Sequence, residues 1–475
     1  MRILLLESST TSAKAMVYDS HTGIQKILTK TYDHVYDDIT QHDAESVFRQ
    51  TAELGRLVAE GEKMHYVALS GTWHSCMLVR PDGTPATPLY PWSYTGASGI
   101  CGELRRNYTY VQSHYQKTGC MVNAIYPLYK LKLLAEQGKQ LSDYWIMGQG
   151  SYEFYRLTGV RAVTDCMASG SGLMNLVTGR WDPEILSELS ISEDNLGKIT
   201  SYQETSPLSA EGAAILGIPA GTPVINSCAD GGMNQVGAGA VREGIMTFSA
   251  GTSAAIRMSV GKPLLPKQPA TWCYRSPVSY LAGAATSGCC NCVDWAREKL
   301  FPAGTSYKEI EKGFSENRPT PVFLPFLFGE RCPGWQDERL GGFEAVSGAN
   351  TASDLYKAVL EGTMFNIYQC YQTLTGLCGE PEHIKFSGGI LHSAYWSQMC
   401  ADLFGRELEV TDTEHSSLVG GAVLAMTAAG ELASAADFET PTVRVIRPDP
   451  GKRAEYDDKY ERWLSWYHAQ EHLAK

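Results

Sequence analysis

Two stretches of the chain, one at its start and one near its middle, share a design of apolar strand, hydroxyl-rich turn and second apolar strand. In the first, LLLESSTTSAK at Leu4–Lys14, an apolar run ends at Glu7 and opens onto five consecutive hydroxyl side chains, residues 8–12. The second, EGIMTFSAGTSAAIRMSV at Glu243–Val260, places a turn of small and hydroxyl residues between two apolar runs. A repeat of this kind predicts an internal duplication and two halves of similar design.

The rest of the chain alternates short β-rich runs with longer segments of helical periodicity, which is typical of an α/β fold. Asp43 precedes one such helical segment and is a suitable N-cap. A length of 475 residues exceeds what one hydrophobic core usually holds. We therefore predict two domains, residues 1–241 and 242–475.

Composition and charge exclude several classes of protein. A net charge of −12 argues against a general nucleic-acid binder, which needs clustered Lys and Arg for phosphate contact. Neither a membrane span nor a signal peptide is indicated, since the apolar runs are short and Met1–Leu6 leads straight into a carboxylate. Thirteen scattered cysteines suit reduced thiols. We expect a cytoplasmic protein with neither nucleic acid nor a membrane as partner.

Two local clusters are interpreted as structural. The run GCCNC at Gly288–Cys292 lacks the spacing of paired metal-binding knuckles and is followed by a helical pattern, so small residues opening a helix are favoured over a metal site. Near the carboxyl terminus, four aromatic residues at helical spacing form one stripe, which predicts packing rather than ligand binding. They are Tyr456, Tyr460, Trp463 and Tyr467.

The two hydroxyl-rich turns have the composition of phosphate-binding loops. Thr, Ser and Gly in a tight turn present hydroxyls and backbone N–H groups together, as phosphate oxygens require. Either turn alone is most simply an ordinary hairpin turn, but two in matching positions favour the phosphate role. Glu7 stands where a strand-end carboxylate could hold Mg²⁺, directly or through water. Lys14 could reach a phosphate, or be an ordinary solvated lysine.

Two further strand ends carry candidate site residues. In INSCADGG an apolar strand leads to Asp230 and two glycines, which suits a general base beside a closely approaching substrate, although an Asx turn would use the same residues. In IKFSGG the glycines Gly388 and Gly389 could lie under a nucleotide base or ribose, or simply form a turn. A Rossmann fingerprint is missing from the sequence.

Six motifs span essentially the whole chain, in the order ESSTTSAKAMVYD, SGTWHS, CADGG, SAGTS, GGFEAVSGANTASDLYKAVLEG and FSGGILHSAYWSQMCADLFG. Together and in this order they resemble the motifs of the FGGY carbohydrate kinases. The resemblance implies an α/β fold of two actin-like (ribonuclease H-like) domains with a cleft between them. The first domain would bind the sugar and carry the first phosphate loop, and the second would carry the other phosphate loop and the adenosine site. YPLYKL and FLPFLFGERCPGW look closer to gluconokinases than to xylulokinases.

The activity that the resemblance implies is ATP-dependent phosphorylation of a hydroxyl on a small sugar, sugar acid or polyol, with Mg²⁺. Asp230 is then the implied catalytic base and Glu7 the implied metal ligand. The implied phosphate ligands are Thr10, Thr11, Lys14, Gly251, Thr252 and Ser253, with Gly388 and Gly389 at the adenosine. The implied sugar-binding residues are Trp73, His74, Trp92 and Asn123 as well as Asp230. His74 could instead be a buried histidine satisfied by the backbone.

Several positions depart from the family pattern. Glu7 and Ser9 stand where the family usually has Asp and Gly, and Tyr94 and Gly96 where it has a sugar-contacting Asp and Arg. Asn123 replaces a His of the gluconokinase segment. Because a pocket that hydrogen-bonds hydroxyls discriminates steeply among substrates, changed donors predict a changed sugar. A catalytically impaired sugar- or nucleotide-binding regulator of the same fold is the main alternative; an actin-like ATPase without a sugar acceptor is less favoured. A homodimer is left open.

Overall fold

The computed structural model describes residues 1–33, 35–314, 318–411 and 415–473, and only the backbone of residues 471–473. The strands of this part of the chain are β1 (Arg2–Ser8), β2 (Ser12–Asp19), β3 (Gly23–Thr31), β4 (Tyr66–Gly71), β5 (Met77–Val79), β6 (Trp145–Met147), β7 (Ala162–Thr164), β8 (Met174–Asn175), β9 (Arg180–Trp181), β10 (Lys198–Thr200), β11 (Ser206–Pro207), β12 (Pro223–Ala229), β13 (Ile245–Ala250), β14 (Ala254–Val260), β15 (Trp272–Arg275), β16 (Tyr280–Thr286), β17 (Val322–Leu324), β18 (Gly342–Glu344), β19 (His383–Ser387), β20 (Leu408–Thr411) and β21 (Thr442–Ile446). The helices are α1 (Ala44–Ala59), α2 (Ser98–Arg105), α3 (Tyr108–Thr118), α4 (Pro127–Glu136), α5 (Gln149–Thr158), α6 (Asp165–Ser169), α7 (Pro183–Glu188), α8 (Glu193–Leu196), α9 (Ala210–Leu216), α10 (Asp230–Gly237), α11 (Cys290–Leu300), α12 (Tyr307–Glu311), α13 (Ala352–Cys378), α14 (Ala394–Phe404), α15 (Ser416–Ala428) and α16 (Arg453–Leu473).

Two mixed sheets organise the molecule, and their central strands follow the same order. The first sheet runs β11-β12-β4-β1-β2-β3 and the second β15-β16-β14-β13-β19-β20-β21. In each, three strands pair antiparallel in succession. A later strand then pairs in parallel with the first of them, and one more strand pairs in parallel with that later strand. The predicted α/β fold is therefore present twice, once in each half of the chain, as the repeated hairpin indicates.

The sequence of β1 explains why this strand lies at the centre of its sheet. Ile3, Leu4, Leu5 and Leu6 are each at most 2% exposed, so side chains on both faces of the strand are buried. A continuous apolar run of this kind is typical of a strand covered on both sides. The run ends where its next residue, Glu7, comes opposite Ser70 of β4, at the carboxyl-terminal edge of the sheet.

Helices α10 and α15 hold the two halves together by a close backbone contact. A Cβ atom on Gly237 of α10 would overlap the carbonyl oxygen of Ser416, and one on Gly420 of α15 would overlap the carbonyl oxygen of Met233. Glycine at both positions lets the helix backbones touch. Since α10 begins at Asp230, this packing fixes the predicted base relative to both sheets.

The two clusters interpreted as structural have that role in the fold. Tyr456, Tyr460, Trp463 and Tyr467 of α16 are each at most 6% exposed and belong to the hydrophobic core, which confirms the packing interpretation. Helix α11 begins at Cys290, inside the GCCNC run, as predicted. Within the described ranges, no group of three or more His, Cys, Asp or Glu side chains is arranged to hold a metal ion. No helix in those ranges is both long and apolar enough to span a membrane.

Candidate active site

The first hydroxyl-rich turn lies between β1 and β2 and is closed by its own backbone. The Ser9 N–H donates to the carbonyl oxygen of Ser12 at 3.0 Å, and the Ser9 hydroxyl donates to the same oxygen at 2.7 Å. Thr10 and Thr11 therefore stand at the tip of the turn. Trp92 Nε1 donates to Thr10 Oγ1 at 2.9 Å, which ties this turn to a residue predicted to bind the sugar.

Glu7 and Lys14, predicted for different roles, form an ion pair with each other. They face one another across the β1–β2 hairpin, with Lys14 Nζ 2.8 Å from Glu7 Oε1. The other carboxylate oxygen, Glu7 Oε2, accepts a hydrogen bond from Ser70 Oγ at 3.3 Å. The Glu7 side chain is 3% exposed and that of Lys14 is 26% exposed, so the lysine closes the carboxylate off from one side.

Asp230 is the first residue of α10 and lies in the same electrostatic environment as Glu7. Its Oδ1 accepts the N–H of Gly231 at 2.7 Å. Burial raises the pKa of Asp230 to about 6, and the Glu7 carboxylate adds to this rise, while the Gly231 N–H, the Arg257 guanidinium and the Trp73 N–H oppose it. The structure thus brings the predicted base, Asp230, and the predicted metal ligand, Glu7, within electrostatic influence of each other. Two repelling carboxylates are a suitable donor set for Mg²⁺, which prefers oxygen ligands.

The second turn and the glycine pair meet at one edge of the second sheet. The Gly251 carbonyl oxygen accepts the N–H of Cys290, at the start of α11, at 3.0 Å. Gly388 follows the neighbouring strand β19 and has a φ of 108°. A Cβ atom there would overlap the carbonyl oxygen of Ala250, so only glycine fits. Gly388 and Gly389 are exposed beside the turn, where a ligand could lie on the backbone.

A cavity of about 510 Å³ opens between the two halves. Four of the predicted site residues line it, namely Trp92, Asn123, Thr252 and Ser253. Residues 326–331 and 337–340 of the second half supply much of the remaining wall. A cavity of this size is suited to a small-molecule ligand.

Trp73 and His74 are not among the residues lining this cavity, and His74 instead lines a separate cavity of about 50 Å³. Trp73 Nε1 donates to the Cys166 carbonyl at 2.9 Å. His74 has a φ of 69°, and its Nδ1 lies 2.6 Å from the Gly170 carbonyl oxygen. Burial lowers the pKa of His74 to about 3, so the ring is neutral. In this geometry His74 matches the alternative of a buried histidine satisfied by the backbone.

Lys130 holds together the wall of the site. It was not among the residues predicted from the sequence. It is 1% exposed, and its ammonium group donates to four backbone carbonyls from three separate segments of the first half. The acceptors are the carbonyl oxygens of His74 and Pro91, each at 2.7 Å, Ile125 at 2.9 Å and Tyr90 at 3.3 Å. Its signal in the sequence is a single lysine inside the apolar start of α4, YPLYKL.

Asp337 connects the two halves across the cavity. It too was not among the residues predicted from the sequence. Asn123 Nδ2 donates to Asp337 Oδ1, and Arg105 Nη1 lies 2.8 Å from Asp337 Oδ2. Asn123 and Arg105 come from the first half and Asp337 from the second. The predicted sugar residue Asn123 is therefore engaged by a partner that lies more than 200 positions along the chain.

Glu153 lies beneath the first turn as a fully buried carboxyl group. Its Oε1 accepts hydrogen bonds from Ser8 Oγ and, at 2.9 Å, from Gln149 Nε2. Burial raises the pKa of Glu153 to about 7, against the opposing effect of these two bonds. The folded protein therefore keeps this proton at pH values where the unfolded chain has lost it.

Replacing Glu153 with Gln tests this protonation. A raised carboxyl pKa means that stability falls as the pH rises from about 4.5 to about 7 and stays flat above. Glu153→Gln should therefore raise Tm at pH 8, with a gain in unfolding free energy of about 2–3 kcal/mol, and leave Tm nearly unchanged at pH 4.5. Thermal unfolding at the two pH values measures this. The exposed control Glu53→Gln should change neither Tm, and equal effects of Glu153→Gln at both pH values would contradict the assignment.

The two sheets share one strand order, and one hairpin of each carries a hydroxyl-rich turn. This arrangement defines the class of two-domain α/β proteins with an actin-like fold. The two family models that match the chain are the N-terminal and C-terminal domains of the FGGY family of carbohydrate kinases, at residues 2–237 and 246–429. The chain belongs to this family and is a carbohydrate kinase. The predicted family, fold class and enzyme class are thereby confirmed.

Relatives with assigned names agree with this classification. A gluconokinase of Bacillus subtilis is 25% identical over 460 residues, which cover 91% of this chain and 88% of the relative. Among solved structures, a ligand-bound xylulose kinase of Lactobacillus acidophilus is 26% identical, with a TM-score of 0.92 and 98% of each chain covered. A gluconate kinase from the same organism is 26% identical, with a TM-score of 0.91 and 98% of each chain covered.

Proposed function

We propose that this kinase transfers the γ-phosphoryl group of ATP, with Mg²⁺, to a hydroxyl of a small sugar, sugar acid or polyol, gluconate-like or ketopentose-like. The observation that carries the proposal is the position of Asp230, at the start of α10 and within the electrostatic influence of Glu7. The named relatives, which include a gluconokinase and a xylulose kinase, support these acceptor classes.

In the proposed reaction Asp230 accepts the proton of the acceptor hydroxyl. With a pKa of about 6 its carboxylate is mostly ionised at neutral pH. The hydroxyl oxygen forms a bond to the γ-phosphorus as the bond to the leaving oxygen of ADP breaks. The transition state for this transfer is loose, so positioning contributes more than base strength. Asp230 then acts both by accepting the proton and by orienting the attacking oxygen.

The remaining predicted residues have roles in binding. Glu7 would hold Mg²⁺, directly or through water, and the ion when bound would offset charge on the phosphates. The phosphate ligands are Thr10, Thr11, Lys14, Gly251, Thr252 and Ser253, and Gly388 and Gly389 lie under the adenosine. Trp92 and Asn123 contact the acceptor from the cavity wall, with Trp73 and His74 behind them. Closure of the two domains, residues 1–241 and 242–475, excludes water from the transfer.

The second candidate function is a catalytically impaired regulator of the same fold that binds a sugar or nucleotide. The ion pair between Lys14 and Glu7 favours the regulator, because it pairs the proposed phosphate ligand with the proposed metal ligand. The buried carboxylate of Asp230 favours the kinase, since a regulator has no use for a base there. A cytoplasmic location and a homodimer also stay predictions.

An acceptor screen separates the two functions. Release of ADP is measured with gluconate, xylulose, ribulose and erythrulose, in the presence of Mg²⁺ or EDTA. We expect at least one acceptor to stimulate Mg²⁺-dependent ADP release by about 100-fold or more over ATP alone. Tight ligand binding without stimulated turnover by any of them would instead support the regulator.

A further inference from the structure

Two arginines that the reaction above leaves unused lie beside Asp230 and the cleft. Arg257 belongs to β14, and a Cβ atom on Gly231, the neighbour of Asp230, would lie 3.4 Å from Arg257 Nε. Arg331 belongs to the segment of the second half that lines the 510 Å³ cavity. One guanidinium therefore faces the proposed base, and the other faces the space for the acceptor.

Both guanidinium groups keep donors that no group in the described part of the chain uses. Arg257 Nη1 donates to Ser249 Oγ at 3.1 Å, but its Nε is buried and has no acceptor among the described residues. Arg331 Nε is likewise buried without an acceptor, and no side-chain hydrogen bond or ion pair joins Arg331 to the part of the chain that the structure describes. Buried donors without partners are rare in folded proteins unless a ligand or water completes them.

The carboxylates nearest to Arg331 in sequence are committed to other cations. Glu330 Oε2 lies 2.9 Å from Arg339 Nη1, and Asp337 is paired with Arg105. Burial lowers the pKa of Arg257 to about 10, and the charge of Arg331 lowers it further while Asp230 opposes the change. The two guanidinium groups thus repel each other, and neither of the two carboxylates next to Arg331 in sequence is paired with it.

We propose that Arg257 and Arg331 bind a carboxylate of the acceptor, which makes the enzyme selective for sugar acids over neutral sugars and polyols. The inference rests on the proposed function and narrows its acceptor class. Guanidinium groups present paired donors in a plane, and this arrangement matches a carboxylate better than a hydroxyl. The transferring phosphoryl group is the other anion that could supply the same oxygens.

The surroundings of Arg331 favour the acceptor over the phosphoryl group. Burial raises the pKa of Tyr126 and of Tyr274, and the positive charge of Arg331 opposes this rise. Arg331 therefore lies near this buried pair of tyrosines. The hydroxyls of these tyrosines are 2.6 Å apart, and the ring centroid of Tyr126 lies 5.0 Å from that of His74. Arg331 also shares the cavity wall with Trp92 and Asn123, the residues proposed to contact the acceptor.

The test compares gluconate with glucitol, a polyol of the same chain length that carries CH₂OH in place of the carboxylate. We expect kcat/KM to be about 100-fold higher for gluconate. Arg331→Met should lower kcat/KM for gluconate by about 30-fold, mainly through KM, and change that for glucitol by no more than about threefold. Arg257→Met should also raise KM for gluconate more than KM for glucitol, while the loss of its charge beside Asp230 changes kcat for both acceptors. Arg331→Lys should recover part of the loss, and the exposed control Arg447→Met should behave as the unchanged protein.

Calorimetric binding of gluconate without nucleotide gives a second readout that does not need turnover. Binding that is lost in Arg331→Met supports the inference even if no acceptor is phosphorylated, a result that would defeat the proposed function alone. Phosphorylation of neutral acceptors with no preference for gluconate would overturn the inference and leave the kinase function intact. An equal fall of kcat for gluconate and glucitol in Arg331→Met would also overturn it, since it would assign Arg331 to the phosphoryl group.

Discussion

Replacing Asp230 with Asn should lower kcat for acceptor phosphorylation by about 10³-fold and leave ATP binding almost unchanged. Asparagine has the same shape, and its side-chain oxygen can still accept the Gly231 N–H that Asp230 Oδ1 accepts at 2.7 Å. It cannot take the proton of the acceptor hydroxyl. The loss should therefore appear in kcat, with the fold and the nucleotide site preserved.

Steady-state kinetics and calorimetric ATP binding measure these two outcomes. Asp82→Asn is a matched control, because Asp82 lies in an exposed turn outside the site. It should leave both quantities unchanged. Near-normal turnover of Asp230→Asn would show that another group accepts the proton, and loss of ATP binding would show that the substitution disturbs more than the base.

Replacing Lys130 with Met should destabilise the first half of the protein by about 3–5 kcal/mol. Methionine fills a similar volume but leaves four backbone carbonyls, those of His74, Tyr90, Pro91 and Ile125, without their shared donor. Each unsatisfied buried acceptor costs free energy, and the segments they belong to lose their common anchor. Because Trp92 directly follows one of these segments, KM for the acceptor should rise as well.

Thermal unfolding and acceptor kinetics test this expectation, with Lys132→Met as the control. Lys132 lies on the same helix, α4, but pairs near the surface with Glu188, at 3.0 Å. An ion pair of this kind contributes about 1 kcal/mol or less, so the control should shift Tm only slightly. If the two substitutions lowered Tm equally, the shared-anchor role of Lys130 would be wrong.

Much of the candidate site follows from local sequence pattern. The apolar runs before Glu7 and Asp230 predicted strand ends, and the glycines after Ser387 predicted a turn. The turn expected at the glycines after Asp230 was wrong, since these residues form the start of α10. These features depend on neighbours within a few residues, so they are readable without knowledge of the fold. The pairing of Glu7 with Lys14 could also have been predicted from the sequence. A turn centred between Thr10 and Thr11 puts these two residues opposite each other in an antiparallel hairpin.

Other features depend on contacts between distant segments and could not be read in this way. Nothing near Asn123 in sequence indicates that Asp337 engages it, and nothing near Arg331 indicates that its neighbours Glu330 and Asp337 are paired elsewhere. The interpretation of His74 also changed, since its carbonyl partner Gly170 arrives from another part of the first half. Such partners are set by packing, not by local propensity.

The sequence by itself therefore determined the duplicated α/β design, the two hydroxyl-rich turns and the position of the proposed base, because these arise from periodicity and turn chemistry along the chain. Only the tertiary structure decided which charges meet. Lys130 is buried, and Asp230, Arg257 and Arg331 are partly shielded from water, so the energy of each charge depends on the particular groups that folding brings beside it. The selectivity that we propose for sugar acids rests on two such charges, Arg257 and Arg331, which lie 74 positions apart in the chain.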